Sequence, residues 1–287
     1  MKTGFVMVNY NDYENIKKMV DQVQSYSLLD RIVIVDNHST DDSLSKIKEL
    51  ASEKIVVLES AHNGGYGAGL NIGARYLNTL YEDCIIIMSN TDIVIDCEQD
   101  IQILMDTFDT DTAVVAPIMR EHTGYNCGWK IPSPWQDILL SLPVIYKKYQ
   151  KKMYYPFDQI KNNTVAVEAV SGSFFLVKGA DLKAFDYFDE NLFLYYEENV
   201  LSKKLQQIHK KVVINGNVEV FHNHSITIDK VHTSVQKYKN LKRSQYYFQV
   251  KYNRAGILNQ VTMKLLFTFF AFCLKVRSTV NRTKKVI

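Results

Sequence analysis

In the first 120 residues, short unbroken apolar runs alternate with stretches of helical periodicity. Residues 5–8, 31–35, 55–58, 84–88 and 112–116 read as strands without polar alternation. Between the first two, Ile16, Met19, Val20 and Val23 recur at helical spacing within 12–26. Strands apolar on both faces and separated by helices imply an α/β fold with a parallel sheet covered on both sides. Ligands of such sheets gather beyond the carboxyl ends of the strands. Asn9, Asp36, the glycine-rich turn at 63–73 and residues 89–92 all fall at that rim. Further strands are expected at 165–170, 174–177, 211–214 and 218–221, and helices at 197–209 and through most of the last 55 residues.

Each rim segment has a chemical reading and a plainer one. The turn Asn63-Gly64-Gly65-Tyr66-Gly67-Ala68-Gly69-Leu70-Asn71-Ile72-Gly73 follows a strand and enters a helix. Glycines there permit close approach of a ligand, and a helix start offers N–H groups to an anion, so the turn is a candidate nucleotide or phosphate site. A tight turn without ligand accounts for it equally. Leu70 occupies the place where a dinucleotide fingerprint needs its third glycine. Asp36 closes an apolar strand, where a carboxylate is costly unless paired or bound to a ligand. Alternatively, Asp36 caps the following helix, as Ser39 or Thr40 also can. In Asn90-Thr91-Asp92, a strand-end carboxylate suits Mg²⁺ or Mn²⁺, which would neutralise a diphosphate leaving group; the plainer reading is an Asx-turn. Glu197 and Glu198 stand together at a helix start, favoured there by the dipole. Beside the aromatic run 193–196 they are also candidates for a general base with raised pKa. His222 and His224 close the last strand on one face, as metal or phosphate contacts or as structural residues.

Taken in order, Val33-Ile-Val-Asp-Asn-His-Ser-Thr-Asp-Asp-Ser43, the glycine turn, Ser89-Asn-Thr-Asp92, Ser171-Gly-Ser-Phe-Phe175 and the segment 188–198 resemble the family 2 glycosyltransferases of GT-A fold. The resemblance covers about residues 3–225 and is nearest to the rhamnosyltransferase-like enzymes of surface polysaccharide synthesis. It implies a mostly parallel sheet with helices on both faces and a nucleotide diphosphate-sugar donor, with dTDP-rhamnose the first choice and a UDP-hexose next. Asp36 would bind the nucleobase, and Asn9, Asn63, Gly64, Gly67, Asn71, Asn90 and Thr91 would line the donor site. Asp92 matches the second acid of the family's metal motif; His222, from its place at the strand end, is the further candidate metal ligand. Glu198 matches the base and Glu197 lies beside it. Two positions depart from the pattern: Asn90 replaces the first metal-motif acid, and the base is Glu where the family usually has Asp, with Val200 in place of a later acid. The implied reaction is a single inverting displacement onto a glycan or polyprenyl-lipid-linked acceptor. A sugar-phosphate nucleotidyltransferase would also hold a nucleotide over a parallel sheet, but 9–12 lack the basic residues of its usual signature. A non-catalytic scaffold of transferase type is the third reading.

Charge divides the chain. From Lys230 to Ile287 there are 13 Lys or Arg and no Asp or Glu, leaving 21 basic against 31 acidic residues before it. An acidic body argues against nucleic acid as the partner. Within the basic tail, 263–274 is dense in Phe and Leu but shorter than a bilayer span, which suits a helix lying on an anionic membrane, or alternatively a helix packed on the body or in a homodimer contact. Residues 1–229 are therefore expected to form the transferase domain, with a proline-rich insertion at 131–163, and 230–287 a basic, apolar helical extension. Four isolated cysteines and the absence of an apolar leader in the first residues point to a cytoplasmic protein on the inner face of the cell membrane.

Overall fold

A computed structural model describes residues 1–223 and 234–283; His224, Lys284, Lys285 and the 229/230 boundary lie outside them. The chain begins β1 (Lys2–Asn9), α1 (Tyr13–Val23), β2 (Arg31–Asp36), α2 (Ser43–Lys48), β3 (Ile55–Glu59), α3 (Tyr66–Leu80) and β4 (Cys84–Ser89). It continues through β5 (Ile93–Val94), α4 (Glu98–Met105), β6 (Thr112–Glu121) and β7 (Gly124–Asn126) to α5 (Pro134–Leu140), α6 (Pro143–Met153) and α7 (Phe157–Ile160). Then follow β8 (Thr164–Val167), β9 (Phe174–Lys178), α8 (Gly179–Ala184), α9 (Glu197–Gln207), β10 (Lys211–His222), α10 (Ser234–Lys251) and α11 (Ile257–Thr283).

The sheet runs β3-β2-β1-β4-β9-β6-β10-β5, with β7 on β6 and β8 on β10. β3, β2, β1 and β4 pair in parallel, as do β6 and β10, while β9 enters antiparallel between β4 and β6. The fold is thus GT-A-like α/β with a mostly parallel central sheet and a C-terminal helical region. Alternate residues of each strand feed opposite cores. Phe5 and Met7 pack with Ile16, Met19 and Val20 of α1, whereas Val6 packs with Leu70, Ala74 and Leu77 of α3. The segments 211–214 and 218–221, expected as two strands, are one. β10 continues through an irregularity in its register between Asn215 and Glu219.

The chain forms two compact units. The first (Met1–Lys130, Tyr154–Phe193, Glu197–Ser225) holds the sheet; the second comprises Ile131–Met153, Leu194–Tyr196 and Ile226–Ile287. Residues 154–163, expected within the insertion, group with the sheet unit. In the second unit α5 opens with a capping box between Ser133 and Gln136 and a proline at its first position. α11 packs against α10 and α5. Its apolar stretch is longer than the 263–274 core suggested: 20 residues, Ile257–Val276, have the length and composition to cross a membrane. Ile257, Leu258, Val261, Leu265, Phe269, Phe272 and Val276 are all exposed. At about 100° per residue they fall in one arc of roughly 120°. Met263, on the other side, is buried. This unit carries 17 Lys or Arg and two acids, Asp137 and Asp229.

Candidate active site

Strand register assembles the first part of the site. Asn9 pairs with Asp36 across β1 and β2, so their side chains emerge together at the carboxyl rim. Asn9 Nδ2 donates to Asp36 Oδ1 at 2.8 Å and to Ser39 Oγ at 2.9 Å. Ser39 gives its N–H to Asp36 Oδ2 at 2.9 Å and its hydroxyl to Oδ1 at 2.6 Å. Asp36 is buried, and these bonds offset its desolvation. The helix-cap reading of Asp36, Ser39 and Thr40 is corrected: α2 starts at Ser43, and Asp36 and Ser39 instead close their own turn.

The glycine turn proves to be largely a packing device. Cβ atoms at Gly69 and Gly73 would stand 2.7 and 2.5 Å from the Val8 and Val6 side chains, so glycine lets α3 lie close on β1. Gly65, at φ 92°, leaves room for the Phe193 carbonyl, which accepts from Tyr66 N at 3.1 Å. Gly65 N is taken by Asn63 Oδ1 at 3.1 Å, and buried Asn37 bridges Asn63 Oδ1 and Gly65 O. Two N–H groups expected to face an anion are therefore spent on the protein. Gly64 approaches Ala68, and Gly67 faces Phe188 and the Glu197 stem. Asn71 is turned away from the donor role expected of it. Its amide donates to Phe188 O at 3.0 Å and Glu190 Oε1 at 2.8 Å and accepts from Phe188 N at 2.9 Å, pinning the 188–190 loop.

The short antiparallel pairing of β5 with β10 brings Asp92 beside His222, with Oδ1 3.2 Å from Nε2 and both side chains about nine-tenths buried. The two are paired with each other, and a carboxylate oxygen beside an imidazole nitrogen is a donor set that would suit Mg²⁺ or Mn²⁺. Among the described residues no group of three or more His, Cys, Asp and Glu is close enough to hold an ion. Thr91 Oγ1 donates to Asp12 Oδ2 at 3.4 Å, and Asn90 N donates to Ser173 O at 2.7 Å.

Glu197 and Glu198 open α9. Gly172 N donates to Glu198 Oε1 at 3.1 Å, and a Cβ at 172 would stand 2.7 Å from that oxygen. Glu198 is half-buried, and burial raises its pKa against the counter-effect of the Gly172 N–H. Glu197 is 6% exposed, its Oε1 has no hydrogen-bond partner among the described residues, and burial with the Glu198 charge pushes its pKa up to about 8. Tyr66, which sequence reasoning passed over, donates to Gly172 O at 3.2 Å. Its phenol is held protonated by burial, reinforced by the charges of Glu198, Glu197 and Asp92. Tyr66, Leu70, Phe188, both glutamates and Ser202 line a pocket here. A chain of contacts thus runs from Asp36 through Asn9, Asp12 and Thr91 to Asp92 and His222, and from Asn90 through 171–173 to Glu198 and Tyr66. Asn37 and Gly172 were also missed. Both stand inside segments that carry the family resemblance, 33–43 and 171–175, but were given no role there.

A family model described as glycosyl transferase family 2 matches residues 5–178. The chain is 22% identical over 241 residues, 83% of this chain and 73% of the other, to the low-salt glycan biosynthesis hexosyltransferase Agl10 of Haloferax volcanii. Among solved structures it is similar to GalNAc-T7 with UDP, GalNAc and Mn²⁺ (TM-score 0.61, 16% identity), covering 88% of this chain and 49% of that one. It is also similar to the mannosyltransferase PcManGT of Pyrobaculum calidifontis with GDP-Man and Mn²⁺, at TM-score 0.60 and 11% identity over 97% of this chain and 79% of that one. S. aureus TarS 1-349 with UDP-GlcNAc has TM-score 0.53 and 14% identity over 94% and 71%.

Proposed function

The chain belongs to glycosyl transferase family 2 and is a glycosyltransferase using a nucleotide sugar; from that premise we propose an inverting displacement with Glu198 as the base. The observation that carries this is Glu198 itself: half-buried, raised in pKa, held by Gly172 N–H, and adjoining Tyr66. Glu198 accepts the proton of an acceptor hydroxyl while that oxygen bonds to the anomeric carbon from the face opposite the diphosphate. The bond to the leaving oxygen breaks, and the nucleoside diphosphate departs with the electron pair. Asp92 and His222 would hold a Mg²⁺ or Mn²⁺, which when bound supplies charge neutralisation for the diphosphate. Asn9, Asp36, Asn63, Gly64, Gly67, Asn90 and Thr91 frame the donor. The motif resemblance favours rhamnose as the sugar, and the name of the archaeal relative favours a hexose. A thermal-shift panel of dTDP, UDP and GDP, each with and without Mn²⁺, distinguishes these donors. Glu198→Gln should abolish transfer while nucleotide diphosphate affinity stays within twofold; full activity in that variant would remove the base.

We read 1–229, with 131–163 inserted, as the transferase domain and 230–287 as a membrane-contacting extension. The exposed apolar arc of α11 with 17 cations against two acids in its unit suits an anionic bilayer, whereas two such surfaces repel each other. Lys264 inside the apolar stretch favours a helix lying in the interface over one that spans. On this reading the enzyme works in the cytoplasm, on the inner face of the cell membrane, on a glycan or polyprenyl-lipid-linked acceptor. The protein should co-sediment with phosphatidylglycerol vesicles, and Leu265→Ser, Phe269→Ser and Phe272→Ser together should release it. Equal binding to neutral vesicles, or a homodimer lost in the triple variant, would overturn this reading.

A further inference from the structure

Gly172 meets two opposed demands, close approach and fixed direction. It is buried, and a Cβ there would stand 2.7 Å from Glu198 Oε1 and 3.1 Å from Glu198 Cδ, so glycine is what lets the carboxylate come this near. Glycine also has the least restricted backbone of any residue, which works against keeping an N–H on one line. Both of its peptide groups are bonded, however. The N–H donates to Glu198 Oε1 at 3.1 Å, and the carbonyl accepts from Tyr66 Oη at 3.2 Å. The two peptide planes meet at the Gly172 Cα, so a bond to each restrains both torsions. The flanks are tied as well. Ser171 Oγ lies 2.9 Å from Ser173 Oγ and accepts from Ser173 N at 3.3 Å, and Ser173 O accepts from Asn90 N at 2.7 Å, just beyond β4.

Tyr66 is suited to hold that carbonyl. It is the first residue of α3, and its own N–H donates to Phe193 O at 3.1 Å. Its ring is partly buried against the core that includes Leu70 and Phe188. Burial and the charges of Glu198, Glu197 and Asp92 keep the phenol protonated, so it stays a donor. All of these residues belong to the sheet unit.

We propose that Tyr66 is a positioning residue: its hydroxyl anchors the Gly172 carbonyl and so keeps the Gly172 N–H aimed at the carboxylate of Glu198. The proposal rests on the reading of Glu198 as the base, and its test separates the two. An N–H bonded to a carboxylate favours the charged form, so a slack Gly172 raises the pH at which Glu198 ionises. Tyr66 and Glu197 are the titratable groups that line the pocket beside Glu198. Tyr66 remains neutral, which leaves Glu197 as the neighbour to control.

Tyr66→Phe removes one oxygen and keeps the ring. The full chain, carrying ¹³C at its glutamate carboxyls, is titrated by NMR in a Glu197→Gln background, the Glu198 signal being the one lost when Glu198→Gln is added. Nucleoside diphosphate release from dTDP-rhamnose, UDP-glucose and GDP-mannose is followed against pH without that background change. Tyr66→Phe should raise the Glu198 midpoint by about half a unit to one unit and move the acid limb of kcat with it, a loss of about 3- to 10-fold on that limb, with donor KM within about twofold. Gly172→Ala, whose Cβ displaces the carboxylate, should do the same more strongly, and it replaces Tyr66→Phe should that variant not fold. An unchanged midpoint in Tyr66→Phe overturns the proposal whether or not any donor turns over. So does a wild-type midpoint in Gly172→Ala, or a parallel loss of kcat, donor affinity and melting temperature in Tyr66→Phe. A raised midpoint together with full activity in Glu198→Gln removes the base and upholds the anchor.

Discussion

At the β1–β2 end of the rim, Asp36 receives three hydrogen bonds from Asn9 and Ser39; at the β9–α9 end, Glu197 keeps an oxygen without a hydrogen-bond partner among the described residues although it is only 6% exposed. Both carboxylates are buried, yet they are treated in opposite ways. The first belongs to a network completed by the protein, so its free energy is committed to shape: a fixed ledge with one charge in a set place. The second end holds two adjacent acids whose pKa values are raised by burial and, for Glu197, also by the charge of Glu198. Unsatisfied polarity of this kind is retained where proton affinity matters, and a finished network where recognition does. The same substitution, carboxylate to amide, therefore has different consequences at the two ends.

The largest effect is expected on turnover. A positioned general base contributes about 10²–10⁴-fold, so Glu198→Gln should lose on that order in kcat with little change in melting temperature. Asp36→Asn should do the reverse in kind. Replacing one oxygen by NH₂ sets a donor against Ser39 or Asn9 inside a buried site and costs about 1–3 kcal/mol. The check is urea unfolding at pH 7. An unfolding midpoint equal to wild type would show that the ledge is not committed to shape. Glu198→Gln losing stability as much as Asp36→Asn would erase the contrast from the other side.

The contrast was half legible in the sequence. Strand periodicity places Asn9, Asp36 and 89–92 at one rim, because parallel strands end together, and the structure has them there. What periodicity cannot carry is how polar atoms are spent. The glycine turn invites an anion on local grounds, but Gly65, Gly69 and Gly73 answer to Phe193, Val8 and Val6, residues far away in sequence. Asn71 likewise follows from a loop more than a hundred residues on. Tyr66 and Gly172 became visible only when β9 inserted antiparallel beside β4, a pairing that no local pattern announces. The left-handed backbone of Tyr195 and Tyr196 has no sequence signal either, since tyrosine is a poor candidate for that conformation.

A subtler effect tests the carboxylate pair itself. An unfolded-chain glutamate titrates near its ordinary 4.5, and in the fold Glu197 is pushed up to about 8. The folded state therefore binds the extra proton between these values. The stability that this lends is complete below about 4.5, falls as pH rises, and is gone above about 8. Glu197→Gln has no proton to lose at this position. Its melting temperature relative to wild type should climb from pH 5 to pH 9, groups elsewhere cancelling in the difference. Donor capture should follow the same sign: above pH 8 wild type presents the Glu197 charge to an approaching diphosphate, and the variant does not. Parallel melting curves for the two proteins across that range would mean that Glu197 is already ionised at neutral pH. Glu198 would then lose the neutral neighbour that distinguishes this end of the rim from the Asp36 ledge.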